Sequence, residues 1–371
     1  MSRKMARVSG VLALGLLLLA GAPATSFAGA FVDPLDLPAP SASQAAHRPL
    51  RAIARAGQRL VAVGILGRIV VSDDDGKTWQ QARVPASADL NAVTFVDALH
   101  GWAVGHDGLI LTTRDGGSTW SVQVDGRRLE QLITGHYSAL AHAGNAQAAK
   151  LLEQLPNMMQ PGVASFFMDV AFEDEKRGFA VGKFGLILAT QDGGKTWEPS
   201  NDHIDNPRFL HLTAIRRIAG TTWIVGEEGS VWKLNPQSQN FELTHVGYNG
   251  TLFGIAGDGD FVLVFGMRGN AFRSADGGGH WEKVGTGIAG GITCATVLSD
   301  RNVVLAAQSG ELAVSHDAAR TFEPLTGERP TMYAGALGLG SGEVMLAGLN
   351  GVQIQKSNSS NGAQLNRTGT K

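Results

Sequence analysis

Gly101-Trp102-Ala103-Val104-Gly105-His106-Asp107-Gly108-Leu109-Ile110-Leu111-Thr112-Thr113-Arg114-Asp115-Gly116-Gly117-Ser118-Thr119-Trp120 carries the pattern that decides the fold. Two short apolar runs flank a Val-Gly-x-x-Gly turn, and the second run closes on Thr-x-Asp-x-Gly-x-Thr-Trp. Short runs of this kind, bounded by Gly and Asp, are strands joined by tight turns. Here they predict strands over 92–95, 101–105, 109–113 and 120–124.

The turn phrase recurs at Val63-Gly64, Val104-Gly105, Val181-Gly182, Val225-Gly226, Phe265-Gly266, Ala307-Gln308 and Ala347-Gly348, each followed by a glycine (Gly67, Gly108, Gly185, Gly229, Gly269, Gly310, Gly351) that stands three residues after the second member, or two in the sixth copy. The intervals are 41, 77, 44, 40, 42 and 40 residues, so there are seven copies. The closing phrase stands in full as Ser72 to Trp79, Thr113 to Trp120 and Thr190 to Trp197. It is altered at Ser274 to Trp281, where His280 replaces Thr, and at Ser315 to Phe322, and it is lost in the fourth copy. Four strands in a period near 40 residues predict radial blades. The expected fold is therefore all-β: a seven-bladed β-propeller of four-stranded antiparallel blades over residues 31–356. Its seventh blade shows three strands, and Phe31 to Leu37 is a candidate for the missing outer strand, restricted to an edge by Pro34.

The closing phrase is an Asp-box, whose chemistry is structural. Asp74, Asp115, Asp192 and Asp276 are short acceptors suited to cross a tight turn, and Trp79, Trp120, Trp197 and Trp281 supply large apolar surfaces to fill gaps between blades. The adjacent Asp73, Asp74 and Asp75 lack the further spaced ligands of a calcium loop. No metal or cofactor is expected.

The interval of 77 residues locates an insertion between the second and third blades, about 127–162. Leu129, Leu132, Ile133 and Leu140, then Leu151, Leu152 and Leu155, recur at helical spacing, so two short helices are predicted, broken near Gly144-Asn145 and closed by Pro156 and Pro161. The insert follows an outer strand, which places it on the face of the Val-Gly-x-x-Gly loops, opposite the Asp-boxes. The loop tips His106, Asp107, Lys183, Phe184, Glu227, Glu228, Met267 and Arg268 ring the channel there, with Met158 and Met159 on the insert, and form the candidate partner-binding set.

Composition bounds the partners. The chain has 371 residues, is 43% hydrophobic and carries a formal charge of −2. A near-neutral chain lacks the clustered basic surface that nucleic acid or anionic lipid requires. Arg3, Lys4 and Arg7 precede the apolar run Val8 to Ala22 and small residues near Ala28, the pattern of a cleaved secretory signal (1–28), so an exported, periplasmic protein with no inserted segment after cleavage is expected. The single cysteine, Cys294, lies far from that junction and reads as a buried thiol. The Ser/Asn/Gly-rich stretch 357–371 reads as a disordered tail.

On these repeats the chain resembles the photosystem II stability/assembly factor family of Asp-box seven-bladed propellers, over nearly all of its length after the signal. The resemblance implies a non-catalytic, monomeric scaffold that binds an envelope or inner-membrane protein. Because some relatives are encoded beside exporters of the resistance-nodulation-division class, it also implies such an exporter as a candidate partner. The alternative is a glycoside hydrolase or glycan-binding propeller using the channel mouth. Sialidases of this fold resemble the chain in their Asp-boxes, but their arginine triad and Arg-Ile-Pro start have no match here, and only Tyr137, Tyr248 and Tyr333 are available as a tyrosine nucleophile. A two-carboxylate mechanism would draw on Asp107, Glu227 and Glu228. His211 reads as a satisfied core or channel residue.

Overall fold

In the computed structural model, which describes residues 32–158, 167–259, 261–327, 329–340 and 342–357, every repeat forms its own antiparallel sheet. Six sheets have four strands in sequence order and the seventh has three. The innermost strands are Leu50–Ala56, Leu90–Phe95, Phe167–Phe172, Leu212–Ile218, Leu252–Asp258, Ile292–Val297 and Tyr333–Leu339. They surround a central channel. The seven-bladed all-β architecture is as the repeats predict.

Side chains alternate across a strand, so each blade presents two apolar faces, and the core consists of the gaps between neighbouring blades. The Asp-box tryptophans fill those gaps. Trp79 packs with Met345 of blade 7 and Leu60 of blade 1, and Trp120 packs with Val61 and Val71 of blade 1. Trp197 joins Phe172 of its own blade, whose ring stacks at 3.5 Å on Trp102 of blade 2. Trp281 joins Trp223 across the gap between blades 4 and 5. Blade 4 has no Asp-box, and its turn is capped instead by Asn235, whose Oδ1 accepts from the backbone of Gln237 and Ser238.

Each Asp-box folds as its chemistry requires. In the first, Asp74 Oδ1 accepts from Ser72 Oγ and from the Thr78 N–H, both at 2.8 Å, while Oδ2 accepts from Thr78 Oγ1 at 2.6 Å. The Gly76 N–H donates to Ser72 Oγ, and the Trp79 indole donates to the Gly76 carbonyl. Asp115, Asp192, Asp276 and Asp317 repeat the carboxylate's bonds, His280 Nδ1 standing in for the threonine hydroxyl beside Asp276, while the indole-to-glycine bond recurs at Trp120. Asp73 is drawn away to Arg59, so the three consecutive aspartates do not converge on a cation position.

Two expectations are corrected. The N-terminal segment adds no outer strand to blade 7. Pro34–Asp36 forms a 3-10 turn, the Ser87 N–H donates to the Pro34 carbonyl, and the Ala39 N–H donates to Val84. Asp33 caps this turn by accepting from the Leu35 N–H, and Pro34, at its first position, favours the turn over an extended strand. Further on, Ala45–His47 turns against Gly351 at the start of the last strand. Among the described residues the ring therefore closes by packing of blade 7 on blade 1, where Gly335 sits against the backbone of Ala52. Secondly, Pro156 does not end the second insert helix, which continues to Met158.

The insert comprises α1 (Gly126–His142) and α2 (Ala146–Met158), separated near Gly144-Asn145 as the sequence predicts. Asp125 caps α1 by accepting from the Arg128 N–H, and Gly144 takes a φ of +90° behind it. Leu129, Ile133, Tyr137, Leu151 and Leu155 are buried in the same apolar cluster as Trp102, Phe172 and Trp197. The insert is thus an extension of the core between blades 2 and 3. Met159 and Pro161, the signal-peptide residues and 358–371 lie outside the described residues, as does the side chain of Met158.

Candidate binding face and channel

The loop between the second and third strands has one design in most blades. Five loops place a non-glycine residue at a φ between 54° and 57°: Leu66, Asp107, Phe184, Glu228 and Arg268. The glycine that follows is also left-handed and lies against the connection to the next blade; a Cβ on Gly67 would stand 2.0 Å from the Ala86 carbonyl oxygen. Only glycine fits there, so the residue before it projects outward in a strained conformation. Such strain costs on the order of 1–2 kcal/mol per residue and concentrates where a side chain is displayed for use.

The predicted loop tips share this face but fall into two groups. Phe184, His211 and Glu227 are joined: the Phe184 N–H donates to His211 Nδ1 at 3.2 Å, and the His211 N–H donates to Glu227 Oε2 at 2.7 Å. Glu228 is paired with Arg208. The expected core or channel position for His211 is corrected, since it lies half-buried on the face between blades 3 and 4. His106 Nε2 accepts from Arg51 at 3.2 Å, and burial, with that guanidinium behind it, lowers its pKa. Lys183 follows Gly182 in the same loop as Phe184. Beyond blade 4 the face becomes apolar: Met267 and Leu349, in the loops of blades 5 and 7, and Leu66, in that of blade 1, are exposed, as is Met332 beside Leu349. Arg268 projects next to Met267.

The insert reaches this face as predicted. Gly108, in the blade 2 loop, lies against Gly126 and Leu129 at the start of α1. Tyr137 donates to Asn201 Oδ1, and Lys150 Nζ donates to the Pro207 carbonyl. The connection from blade 3 to blade 4 is thereby held under the insert.

The channel contributes residues that the sequence reading missed. In every inner strand one residue slips out of register at the second position: Arg51, Asn91, Met168, Thr213, Phe253, Thr293 and Ala334. These bulges turn seven side chains into a cavity of about 510 Å³ at the channel mouth. Several also tie blades together: Arg51 donates to Asn91 Oδ1, Asn91 to the Phe167 carbonyl, Thr213 to Leu252 and Thr293 to Tyr333. One residue further in, the blades carry Ala52, Ala92, Ala214, Gly254, Cys294 and Gly335, but blade 3 carries Asp169. Asp169 is 4% exposed and accepts from Arg216 and from the Ile215 and Val170 N–H groups. Burial pushes its carboxyl up, against the pull of Arg216 and those donors. An acidic residue in a ring of alanine and glycine was the available signal.

Among the described residues, the tyrosines and the two face glutamates named above as catalytic candidates all have other partners. Tyr333 is buried, with its hydroxyl donating to the Arg329 carbonyl and accepting from Gln353. Tyr137 is buried in the insert, and Tyr248 donates to the Met267 carbonyl. Of the face carboxylates, Glu227 and Glu228 are held by His211 and Arg208. Among the described residues one group, Asp97, His100 and Glu175, has metal-ligand composition. His100 caps its own turn on Asp97 as Arg177 does on Asp174 in blade 3, so the group reads as turn chemistry.

Comparison with known proteins agrees. A family model described as the photosynthesis system II assembly factor YCF48 matches residues 71–145 and 149–245. The photosystem II assembly lipoprotein Ycf48 of Synechococcus sp. (strain CC9902) is 23% identical over 309 residues, 74% of this chain and 87% of its own. The Ycf48 assembly protein of Synechococcus sp. (strain JA-3-3Ab) is 25% identical over 66% of this chain and 78% of its own. Among solved structures, one described as YCF48 bound to D1 peptide superposes with a TM-score of 0.62 at 16% identity, covering 84% of this chain and 94% of that one. YCF48 from Cyanidioschyzon merolae gives 0.59 at 15% identity, over 85% and 97%. The resemblance carried by the repeats is borne out. These relatives are named as assembly factors. Some are named lipoproteins, in keeping with an exported chain, although Cys294, the sole cysteine here, is buried in blade 6. These relatives give no support to the exporter or glycoside-hydrolase readings.

Proposed function

We propose, from its likeness to the Ycf48-type assembly factors, that this protein is an exported, periplasmic and monomeric scaffold that docks on a membrane protein of the envelope. The docking face is the one that bears the Val-Gly-x-x-Gly loops and the insert. The observation that carries this reading is the set of five loop residues held in left-handed conformation, which display Leu66, Asp107, Phe184, Glu228 and Arg268 on one face at a cost to stability. Exposed Met267, Met332, Leu349 and Leu66 lend that face an apolar arc, while Lys183, Glu227 and Glu228 form a charged one. Such a division suits a segment with apolar side chains on one edge and polar groups on the other. A D1 peptide bound to a propeller of this fold makes a peptide segment of a membrane protein a reasonable occupant. An exporter remains one member of that class.

The test is crosslinking of the tagged protein in its native envelope, followed by mass spectrometry. The comparison variant carries Phe184→Ala, Arg268→Ala and Met267→Ala together, with folding checked by circular dichroism. Recovery of one membrane protein by the native chain, lost in the variant, is the expected result. Equal capture by both, or no enrichment by either, would overturn docking through this face.

A further inference from the structure

Blade 7 ends one strand short. Among the described residues its sheet stops at the third strand, Gly351–Lys356, which pairs along its whole length with Glu343–Gly348 and has no strand on its other side. The register shows what is missing. In the five Asp-box blades the second strand pairs the residue four places before its loop with the Ser or Thr that opens the box, as Leu60 with Ser72, Gly101 with Thr113 and Val303 with Ser315. In blade 7 Val344 pairs with Gln355, so Ile354 stands where Val71, Thr112, Ala189, Arg273 and Val314 stand. Ala189 is half-buried and the other four are between 1% and 9% exposed, whereas Ile354 is 39% exposed.

The other blades specify the strand that would cover it. Opposite the Ile354 position they carry Gln80, Ser121, Glu198, Glu282 and Glu323, all polar. Two residues on, opposite the Val352 position, stand Ala82, Val124, Ser200, Val284 and Leu325, all buried. There the Ala82 and Ser200 N–H groups donate to the Ile69 and Ile187 carbonyls. By the same alternation the backbone groups of Val352 and Ile354 face outward. Gln353 and Gln355 turn toward blade 6, donating to the Tyr333 hydroxyl and the Thr326 carbonyl, which leaves Val352 and Ile354 as one apolar row. Charge adds a preference. In blade 6 Glu323 lies 3.4 Å from His316, and Lys356, which is exposed, occupies the His316 position in blade 7. Exposed Lys77 lines the same cavity of about 710 Å³ as Ile354. The strand has no proline and no bulge, and Lys356 is its only charge, so it lacks the usual protections of an edge.

We propose that the outer edge of Gly351–Lys356 captures an extended segment of the docked membrane protein as a fourth, antiparallel strand, with an acidic residue opposite Ile354 and beside Lys356, and an aliphatic residue opposite Val352. Main-chain bonds supply the affinity and the two side-chain positions the choice. The strand begins at Gly351, two residues after exposed Leu349 on the loop face, so a segment that crosses the apolar arc runs on to this edge. The source of the segment rests on the docking reading above. The chemistry of the edge does not, because a peptide can supply the strand by itself.

The test is isothermal titration of the full chain with the acetylated, amidated peptide Ser-Thr-Glu-Thr-Leu-Thr-Ser, with hydrogen exchange read residue by residue by NMR. Without peptide the Val352 and Ile354 amides should exchange fast, and with saturating peptide at least tenfold more slowly. Methylating the leucine nitrogen, which removes the donor to the Val352 carbonyl, should weaken binding at least tenfold. Proline between the Glu and the Leu should be tolerated, as Pro199 and Pro324 are in blades 3 and 6. Ile354→Pro removes an outward donor and should weaken binding at least tenfold. Lys356→Glu, at an exposed position, should reverse the preference for Glu over Lys in the peptide, and it decides the matter if Ile354→Pro fails to fold. No binding, equal binding of the methylated peptide, or an unchanged preference in Lys356→Glu would overturn the proposal. So would slow exchange at both amides in the chain alone, which would give the edge to the chain's own residues, or a dimer lost in Ile354→Pro, which would give it to a second copy. Capture by the loop face is read in the crosslinking assay and succeeds or fails separately.

Discussion

The hydroxyl of Tyr137, midway along α1, donates to Asn201 Oδ1 at 3.3 Å and accepts the Asn201 N–H at 2.9 Å, bolting the insert to the end of blade 3. Asn201 Nδ2 in turn donates to the Gly185 carbonyl in the blade 3 loop. Tyr137→Phe leaves the buried Asn201 N–H without its acceptor and should cost about 1–3 kcal/mol. Ile133→Ala, in the same helix and equally buried, should cost about 2–5 kcal/mol by opening a cavity between the insert and the blades. Urea unfolding checks both. Wild-type stability in both variants would mean that the insert merely rests on its blade.

The left-handed loop residues predict an inverse relation between stability and function. Glycine at position 268 or 228 removes the strain of a Cβ at positive φ, offset in part by the extra freedom of the unfolded chain. Arg268→Gly and Glu228→Gly should therefore leave stability unchanged or raise it by up to about 1 kcal/mol, while partner capture falls. Differential scanning calorimetry paired with the crosslinking assay separates the two effects. A clear loss of stability would show that these side chains hold the loops rather than being held by them.

Acid should unfold the protein through its Asp-boxes. The Thr78 hydroxyl and then its N–H hold the Asp74 carboxyl at about 2, and the His280 N–H and ring hold Asp276 well below the ordinary range. A carboxyl whose folded pKa is depressed contributes fully above its unfolded value, about 3.9, and loses that contribution as pH falls toward the folded value. The Asp-box contribution to the melting temperature should thus be level above pH 5 and fall between about pH 4 and 2. Asp74→Asn should lower it at pH 7 and make the acid limb shallower. A flat profile down to pH 2 would remove the boxes from the stability account.

Cys294 gives an independent probe of the ring. It is 8% exposed on the inner strand of blade 6, and burial pushes its thiol up to about 12. Iodoacetamide at pH 8 needs a thiolate it can reach, so the native chain should resist alkylation and the chain in guanidinium should be modified once. Rapid modification of the native protein would place this strand at a dynamic edge.

The repeat made most of this architecture legible. Strand pairs, turns, inter-blade tryptophans and the break in the insert all follow from local chemistry repeated in register, which is why Asp115 or Trp197 could be assigned a role from the letters alone. The face on which the Val-Gly-x-x-Gly loops lie was legible because alternating strand direction fixes it. The Asp169–Arg216 pair was overlooked because its partners lie 47 residues apart and meet only when blades 3 and 4 stand side by side. The bulges were invisible for a related reason: the slip at Arg51 or Phe253 is a property of paired strands, not of either sequence. The N-terminal strand failed because the reading weighed Pro34 as tolerable at an edge and not the turn that Asp33 and Pro34 form together.

That last correction leads to a prediction about where the ring opens. With three strands in blade 7 and none donated by the N-terminal segment, blades 7 and 1 are held chiefly by side chains. Met345, 1% exposed, packs with Leu50, Ile53 and Leu60, and a Cβ on Gly76 would stand 2.4 Å from its terminal methyl group. Met345→Ala should cost about 2–5 kcal/mol. So should Leu263→Ala, which is fully buried between blades 5 and 6. The two should differ in where exchange accelerates. Chain connectivity links blades 5 and 6 whatever happens to their packing, whereas among the described residues blades 7 and 1 have the turn at Ala45–His47 beside their seam. Hydrogen exchange in Met345→Ala should rise first in Leu50–Ala56 and Tyr333–Leu339. In Leu263→Ala it should rise evenly, through global unfolding. The same exchange pattern in both variants would mean that the seam is no weaker than any other gap in the ring.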